Sequence, residues 1–155
     1  MQFKVSKRLG IISLALLVMG FSALSLSHPS VSAESPRSGD LDVTKTCSEY
    51  TGAAGDFCTI TASNLAAIPV GSRIVYTSAF DGVLNRLDSD VVLHAGPANT
   101  AFGHCYVNGA TGTGTCLFSG GTGKFTWFHA IVAVSSNAGS DPWVWDGEYS
   151  FSPLD

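Results

Sequence analysis

Phe102 to Val134 reads FGHCYVNGATGTGTCLFSGGTGKFTWFHAIVAV, and this stretch decides the fold class. Two cysteines flank a glycine-rich turn, and a Gly-Gly-Thr-Gly-Lys-Phe corner then feeds a long apolar run. Glycine takes tight or positive-φ backbone at no steric cost, while the β-branched and aromatic residues around it favour strands. Pairing Cys105 with Cys116 aligns Tyr106 with Thr115 and Val107 with Gly114, so the turn falls at Asn108 to Thr113. Asn-Gly supplies the backbone such turns need.

The same grammar extends in both directions. Short runs rich in Val, Ile, Thr and aromatics recur between Gly, Asn, Asp and Pro, and helical periodicity is scarce. Strands are expected near Phe57 to Ala62, Ser72 to Phe80, Ser89 to Leu93, Ala101 to Val107, Thr115 to Ser119, Phe125 to Ser135 and Val144 to Phe151. Ser63 to Ile68 suits a single helical turn. In the last strand Trp143, Trp145, Tyr149 and Phe151 share one face and Val144, Asp146, Glu148 and Ser150 the other. Phe125 to Ser135 is apolar on both faces, which asks for cover on both sides. A closed barrel with a partner subunit outside, or a sandwich with a buried central strand, would each supply it.

Residues 1–33 read as a secretory signal peptide: Lys4, Lys7 and Arg8, then an apolar stretch from Ile11 to Leu26, then Val31-Ser32-Ala33 as a small-residue cleavage site. No membrane attachment is expected after cleavage. Residues 34–45 are polar and suit a flexible entry segment, leaving 46–155 as one domain. Beyond the leader five basic residues face twelve acidic ones. That acidic balance repels phosphate backbones and anionic lipid, so nucleic acid is not an expected partner.

Four cysteines in an exported chain allow three pairings. Ten residues separate Cys47 from Cys58 and ten separate Cys105 from Cys116, each interval holding a Gly/Ala-rich turn, which favours the two local bridges. No CxxC spacing suggests zinc. His94, His104 and His129 show no HxH or HxxxH spacing, so no metal is expected, and no cofactor motif is present. A phosphate loop would need Gly where Phe118 stands and Ser or Thr where Phe125 stands. Paired acids, Asp146 with Glu148 or Asp88 with Asp90, would lie roughly 7 Å apart on one strand face. If the aromatics of the last strand point inward, Asp146 and Glu148 point to water; reversed, Glu148 becomes a buried general acid/base candidate.

VGSRIVYTSAFDG (Val70 to Gly82), the acidic turn at Asp88 to Asp90 and SGGTGKF (Ser119 to Phe125) before an apolar strand resemble the allene oxide cyclase barrel superfamily. The likeness is to its bacterial secreted members, with plant dirigent proteins more distant, and covers about Phe57 to Phe151. It implies an all-β, single antiparallel eight-stranded barrel, calycin-like, with an internal cavity. Members are often trimers, and some guide cyclisation or coupling of small apolar molecules. The plant cyclases place a Glu and an Asn on the first barrel strand, whereas Phe57 to Ala62 carries neither.

The expected function is therefore interior binding of a small apolar or aromatic ligand, with cyclase or isomerase chemistry as an extension. Strand parity and chemistry nominate Tyr76, Phe102, His104, Tyr106, Trp127, His129, Trp143, Trp145 and Tyr149 as ligand-binding residues. Glu148, His104 and His129 are the titratable candidates for catalysis. The alternative is an extracellular interaction or structural protein whose barrel is filled by side chains. A carbohydrate-binding module would need Trp143 and Trp145 coplanar on an exposed face.

Overall fold

The computed structural model describes residues 37–137 and 139–152; the expected leader and its cleavage site lie outside them. The described residues form eight strands: β1 (Ser38–Thr46), β2 (Phe57–Ser63), β3 (Arg73–Tyr76), β4 (Arg86–His94), β5 (Thr100–Asn108), β6 (Thr113–Thr122), β7 (Phe128–Asn137) and β8 (Ser140–Phe151). Each pairs antiparallel with the next, and β8 closes on β1 to make a barrel. Closure leaves no sheet edge free to recruit another chain.

β1 corrects an expectation. Residues 38–45, expected to be a flexible entry, are in register with β8 from Ser38↔Ser150 to Lys45↔Trp143 and with β2 through Val43 to Thr46. Leu41, Val43 and Lys45 face inward and are buried, while Asp40 and Asp42 face water. Gly, Ser and Asp have poor strand propensity, and pairing on both sides outweighs that preference.

The hairpin between β5 and β6 has the expected register, with Cys105 opposite Cys116, Tyr106 opposite Thr115 and Val107 opposite Gly114. Both local disulfides are formed, Cys47–Cys58 and Cys105–Cys116, across Cα separations of 4.3 and 4.1 Å. The Asn108 side chain accepts from the Ala110 and Thr111 amides at 2.8 and 3.2 Å and so shapes the turn.

The Gly-Gly-Thr-Gly corner does not launch a strand directly. Gly123–Phe125 form one 3₁₀ turn, and β7 starts only at Phe128. Gly123 has φ +58°, and a Cβ there would sit 2.5 Å from the Ala98 carbonyl oxygen. A Cβ on Gly121 would collide with the Thr100 carbonyl oxygen. Phe125 is folded into the core instead of lying along the strand, with its ring 5.1 Å from that of Phe128.

The barrel has two unlike ends. The connections β2–β3, β4–β5 and β6–β7, with Arg37 and Ser152, gather at one end, which is plugged. Leu65 and Ile68 bury themselves in a turn closed by the Ile68 amide on the Leu65 carbonyl, 2.8 Å apart. Phe125, Phe128, Phe151 and Tyr149 stack beside them in edge-on and tilted pairs. The other four connections surround the open end.

β7 buries Phe128, Ala130, Val132 and Val134, but Ile131 is 64% and Trp127 54% exposed. Within this chain the strand is covered on one side only, as a closed barrel requires, and the buried central strand of a sandwich is not formed.

Candidate functional site

A cavity of about 380 Å³ occupies the open end. Lys45 and Tyr76 line its inner part, the Cys47–Cys58 bridge one wall, Phe80, Leu87 and Val107 another, and Trp143 with Asp141 the side formed by β8. Each strand residue among them lies on the inward parity of its strand, so the site follows from alternation and from where the strands stop.

Lys45 is the unusual member. Its side chain is 2% exposed, and Nζ donates to Tyr76 Oη at 2.6 Å. The ammonium position lies 4.9 Å from the Trp145 ring centroid, 5.3 Å from that of Tyr76 and 5.9 Å from that of Trp143. Burial pulls its pKa down to about 7, and the negative charge of Asp141 opposes the shift in part. No carboxylate is within ion-pair distance of it among the described residues. Asp141 is engaged elsewhere, accepting from the Thr46 hydroxyl at 2.5 Å and the Cys47 amide at 2.7 Å.

Two tyrosines complete the polar part. Tyr76 is buried and its pKa is pushed up, first by burial and then by Tyr50. Tyr50 packs edge-on to it at 5.3 Å, and burial likewise raises its pKa, with Asp56 adding to the effect. The Tyr50 hydroxyl is buried without a hydrogen-bond partner. An unmet donor and a lysine with one acceptor among the described residues leave polar capacity that a guest could satisfy.

The rim is cross-braced. The Phe80 amide donates to Gly52 O at 2.9 Å, the Gly55 amide to Tyr76 O at 2.7 Å and the Gly109 amide to Asn85 O at 2.8 Å. Asp56 holds its own loop by accepting from the Thr51 amide (2.6 Å), the Thr51 hydroxyl (2.8 Å) and the Ala53 amide (3.0 Å). Those bonds, the Thr51 hydroxyl first, hold the Asp56 carboxyl below the usual carboxylate range. Three connections are thus tied into one collar around the opening.

Of the residues expected to bind a ligand, Tyr76 and Trp143 line this cavity. Trp145 faces inward one layer deeper and is fully buried, and Tyr149 is buried toward the plugged end. The remainder do not line the interior. Phe102, His104 and Tyr106 project outward from β5, because Cys105 and Val107 take the inward parity. Trp127 is exposed in the β6–β7 connection at the far end, and His129 faces outward from β7, half-buried. Glu148 is exposed opposite Ile131, on the parity its aromatic neighbours leave for solvent. Trp143 and Trp145 point into the barrel and form no exposed coplanar platform.

His104 is instead clamped on the outer surface. Its Nδ1 lies 2.9 Å from Asp90 Oδ1 and its Nε2 2.9 Å from Asp88 Oδ1. The Asp90 hydrogen bond raises the imidazole pKa against the opposing effect of burial, and the hydrogen bond and charge of Asp88 add to the rise. Of the two acid pairs spaced along one strand face, Asp88 and Asp90 therefore hold a histidine. Among the described residues no three His, Cys, Asp or Glu side chains converge as a metal site.

Sequence reasoning missed Lys45, Tyr50, Phe80, Leu87, Val107 and Asp141. A signal for the first was present: Leu41-Asp-Val43-Thr-Lys45 alternates, and puts the lysine on the apolar parity. Comparison of the chain with protein-family models, with curated proteins and with solved structures finds no match.

Proposed function

We propose that this chain is an exported barrel that binds a small, mainly apolar molecule carrying one oxygen acceptor. The observation that carries the reading is the buried Lys45 amine in a cavity of about 380 Å³, ringed by aromatic and aliphatic side chains. Small-molecule pockets run from about 300 to 1,000 Å³ and combine apolar walls with a few convergent polar groups. Lys45, Tyr76 and Tyr50 are those groups. An aromatic ring with a short oxygen-bearing substituent suits both the volume and the lining.

Export is supported by two disulfides, which persist in oxidising compartments, and by the leader-like residues 1–33. Among the described residues no helix is long and apolar enough to cross a membrane. Isomerase or cyclase chemistry of the kind implied by the resemblance to allene oxide cyclase barrels would rest on Lys45 and Tyr76, the hydrogen-bonded titratable pair in the inner part of the cavity.

The test is a titration of the purified chain with benzyl alcohol, benzoate and cyclohexanol, read by tryptophan fluorescence in a Trp127→Phe background that removes the exposed fluorophore. A saturable change that disappears in the cavity-filling Val107→Trp variant supports the reading. A flat response to all three compounds overturns it.

The outer face gives a second reading its footing. Phe102, Leu117 and Ile131 are each about half exposed or more on neighbouring strands β5, β6 and β7. A protein that acts by association, as a homotrimer or on another extracellular surface, would bury them. Sedimentation showing a trimer that Ile131→Glu dissociates, together with a cavity indifferent to ligands, would favour it.

A further inference from the structure

We infer that Lys45 is a nucleophilic amine that captures carbonyl compounds, so the guest of the cavity is an aldehyde or ketone held as a Schiff base. This inference rests on the proposal that the cavity takes a small apolar guest and assigns that guest its reactive group. Three features of the geometry support it. The amine lines an open-mouthed cavity although its side chain is buried. Its surroundings are aromatic rings and a disulfide, with no carboxylate within ion-pair distance among the described residues to hold it charged. Tyr76 Oη sits 2.6 Å from Nζ, where a hydroxyl can relay the protons the reaction moves.

An ordinary lysine is almost wholly protonated at neutral pH and therefore unreactive. Burial brings Lys45 to about 7, so its neutral fraction at pH 7 exceeds that of an exposed lysine by about a thousandfold. Anion recognition is the competing use of a buried amine, but a permanent counter-charge function would be served better by a lysine that stays protonated. Asp141, the acid that favours the charged form, has both carboxylate oxygens engaged by Thr46 and Cys47.

The step balances without any co-reactant. The neutral Nζ lone pair attacks the carbonyl carbon, and proton transfer from nitrogen to oxygen gives a carbinolamine. A second proton reaches the hydroxyl, which leaves as water while the C=N bond forms. No oxidation or reduction occurs. Tyr76 accepts from Nζ in the resting site and can pass a proton to the departing oxygen, with the carboxylate of Asp141 near enough to favour the iminium charge.

The experiment treats the intact oxidised protein with benzaldehyde at pH 7 and sodium cyanoborohydride, which reduces iminium ions and leaves disulfides intact. Peptide mapping then compares benzylation at Lys45 with that at Lys124, the other lysine beyond the leader and an exposed one. The expected result is labelling of Lys45 at least about tenfold over Lys124, given its larger neutral fraction. Excess benzyl alcohol should protect Lys45 and leave Lys124 unaffected. Lys45→Met abolishes the preferred label, and because protection is measured on the unmutated chain, the outcome does not depend on that variant folding. If benzyl alcohol binds while Lys45 labels no faster than Lys124, the carbonyl inference is overturned and the binding proposal stands. If benzyl alcohol does not bind and Lys45 is not preferentially labelled, both fall.

Discussion

Lys45 Nζ and Tyr76 Oη meet at 2.6 Å across the inside of the barrel, on strands β1 and β3 that are separated by β2. The contact joins a residue from a stretch that looks like a polar tail to one from a strand that looks like ordinary core. Neither side chain reaches solvent freely. Its consequences extend from stability to chemistry.

The first prediction concerns pH. The folded pKa of Lys45, about 7, lies below its unfolded value of 10.5. Between those values the unfolded chain holds a proton that the folded chain lacks, so stability rises with pH across the window and is lowest below pH 7. The span corresponds to several kcal/mol, roughly 3–5. Urea midpoints of the unmutated chain should therefore climb from pH 7 to pH 9.5, and those of Lys45→Met should stay nearly level. An equal climb in both would show that Lys45 is not the source.

His104 acts in the opposite sense. Its folded pKa is raised above 6.5 by Asp90 and Asp88, so its stabilising contribution is complete below the unfolded pKa and is lost as pH rises through the folded one. The pair is exposed and its worth is small. The sharper readout is the imidazole titration by NMR. Its midpoint should lie above that of a free histidine and fall in Asp90→Asn, with a smaller fall in Asp88→Asn.

The two bridges should differ in what their loss does. Replacing Cys105 and Cys116 by Ala removes a closed loop of about a dozen residues, costing about 3 kcal/mol in the chain-entropy account. Replacing Cys47 and Cys58 should cost a similar amount and also loosen the cavity wall beside Lys45. Denaturant unfolding would measure the first effect, and benzaldehyde labelling of Lys45 relative to Lys124 the second. Equal labelling in both double variants would contradict the assigned position of the Cys47–Cys58 bridge.

Phe125 and Trp127 provide a paired test of the corner. Phe125→Ala empties a site with no solvent exposure at the plugged end and should cost roughly 3–5 kcal/mol. Trp127→Ala removes a side chain that is 54% exposed and should change stability by less than about 0.5 kcal/mol. Continuous strand from Phe125 would instead put both rings on one face and make their costs comparable.

The hairpin around Cys105 was legible because its information is local. A cysteine pair, an Asn-Gly turn and two alternating runs together define one register. Alternation, however, identifies two faces without saying which is inside. On β8 alternation left both orientations open, and the structure turns Trp143, Trp145 and Tyr149 inward. On β5 the aromatic residues Phe102 and Tyr106 drew the reading to the wrong face, and the buried disulfide at Cys105 was the better guide. β1 was hidden because Asp40 and Asp42 describe its wet face, whereas its strand character comes from partners a hundred residues away. The cavity was harder still. It is bounded by Phe80, Leu87, Val107 and Asp141, whose proximity is a property of barrel closure and of the hydrogen-bonded collar.

The arrangement of the two ends also determines how this molecule can be handled and displayed. Arg37 and Phe151 are joined by a 2.6 Å backbone hydrogen bond at the plugged end, opposite the four connections that frame Lys45. The described backbone enters at Arg37 and leaves at Ser152 on the pole away from the opening. Attached to a surface through that pole, the barrel would keep its entrance directed into the medium.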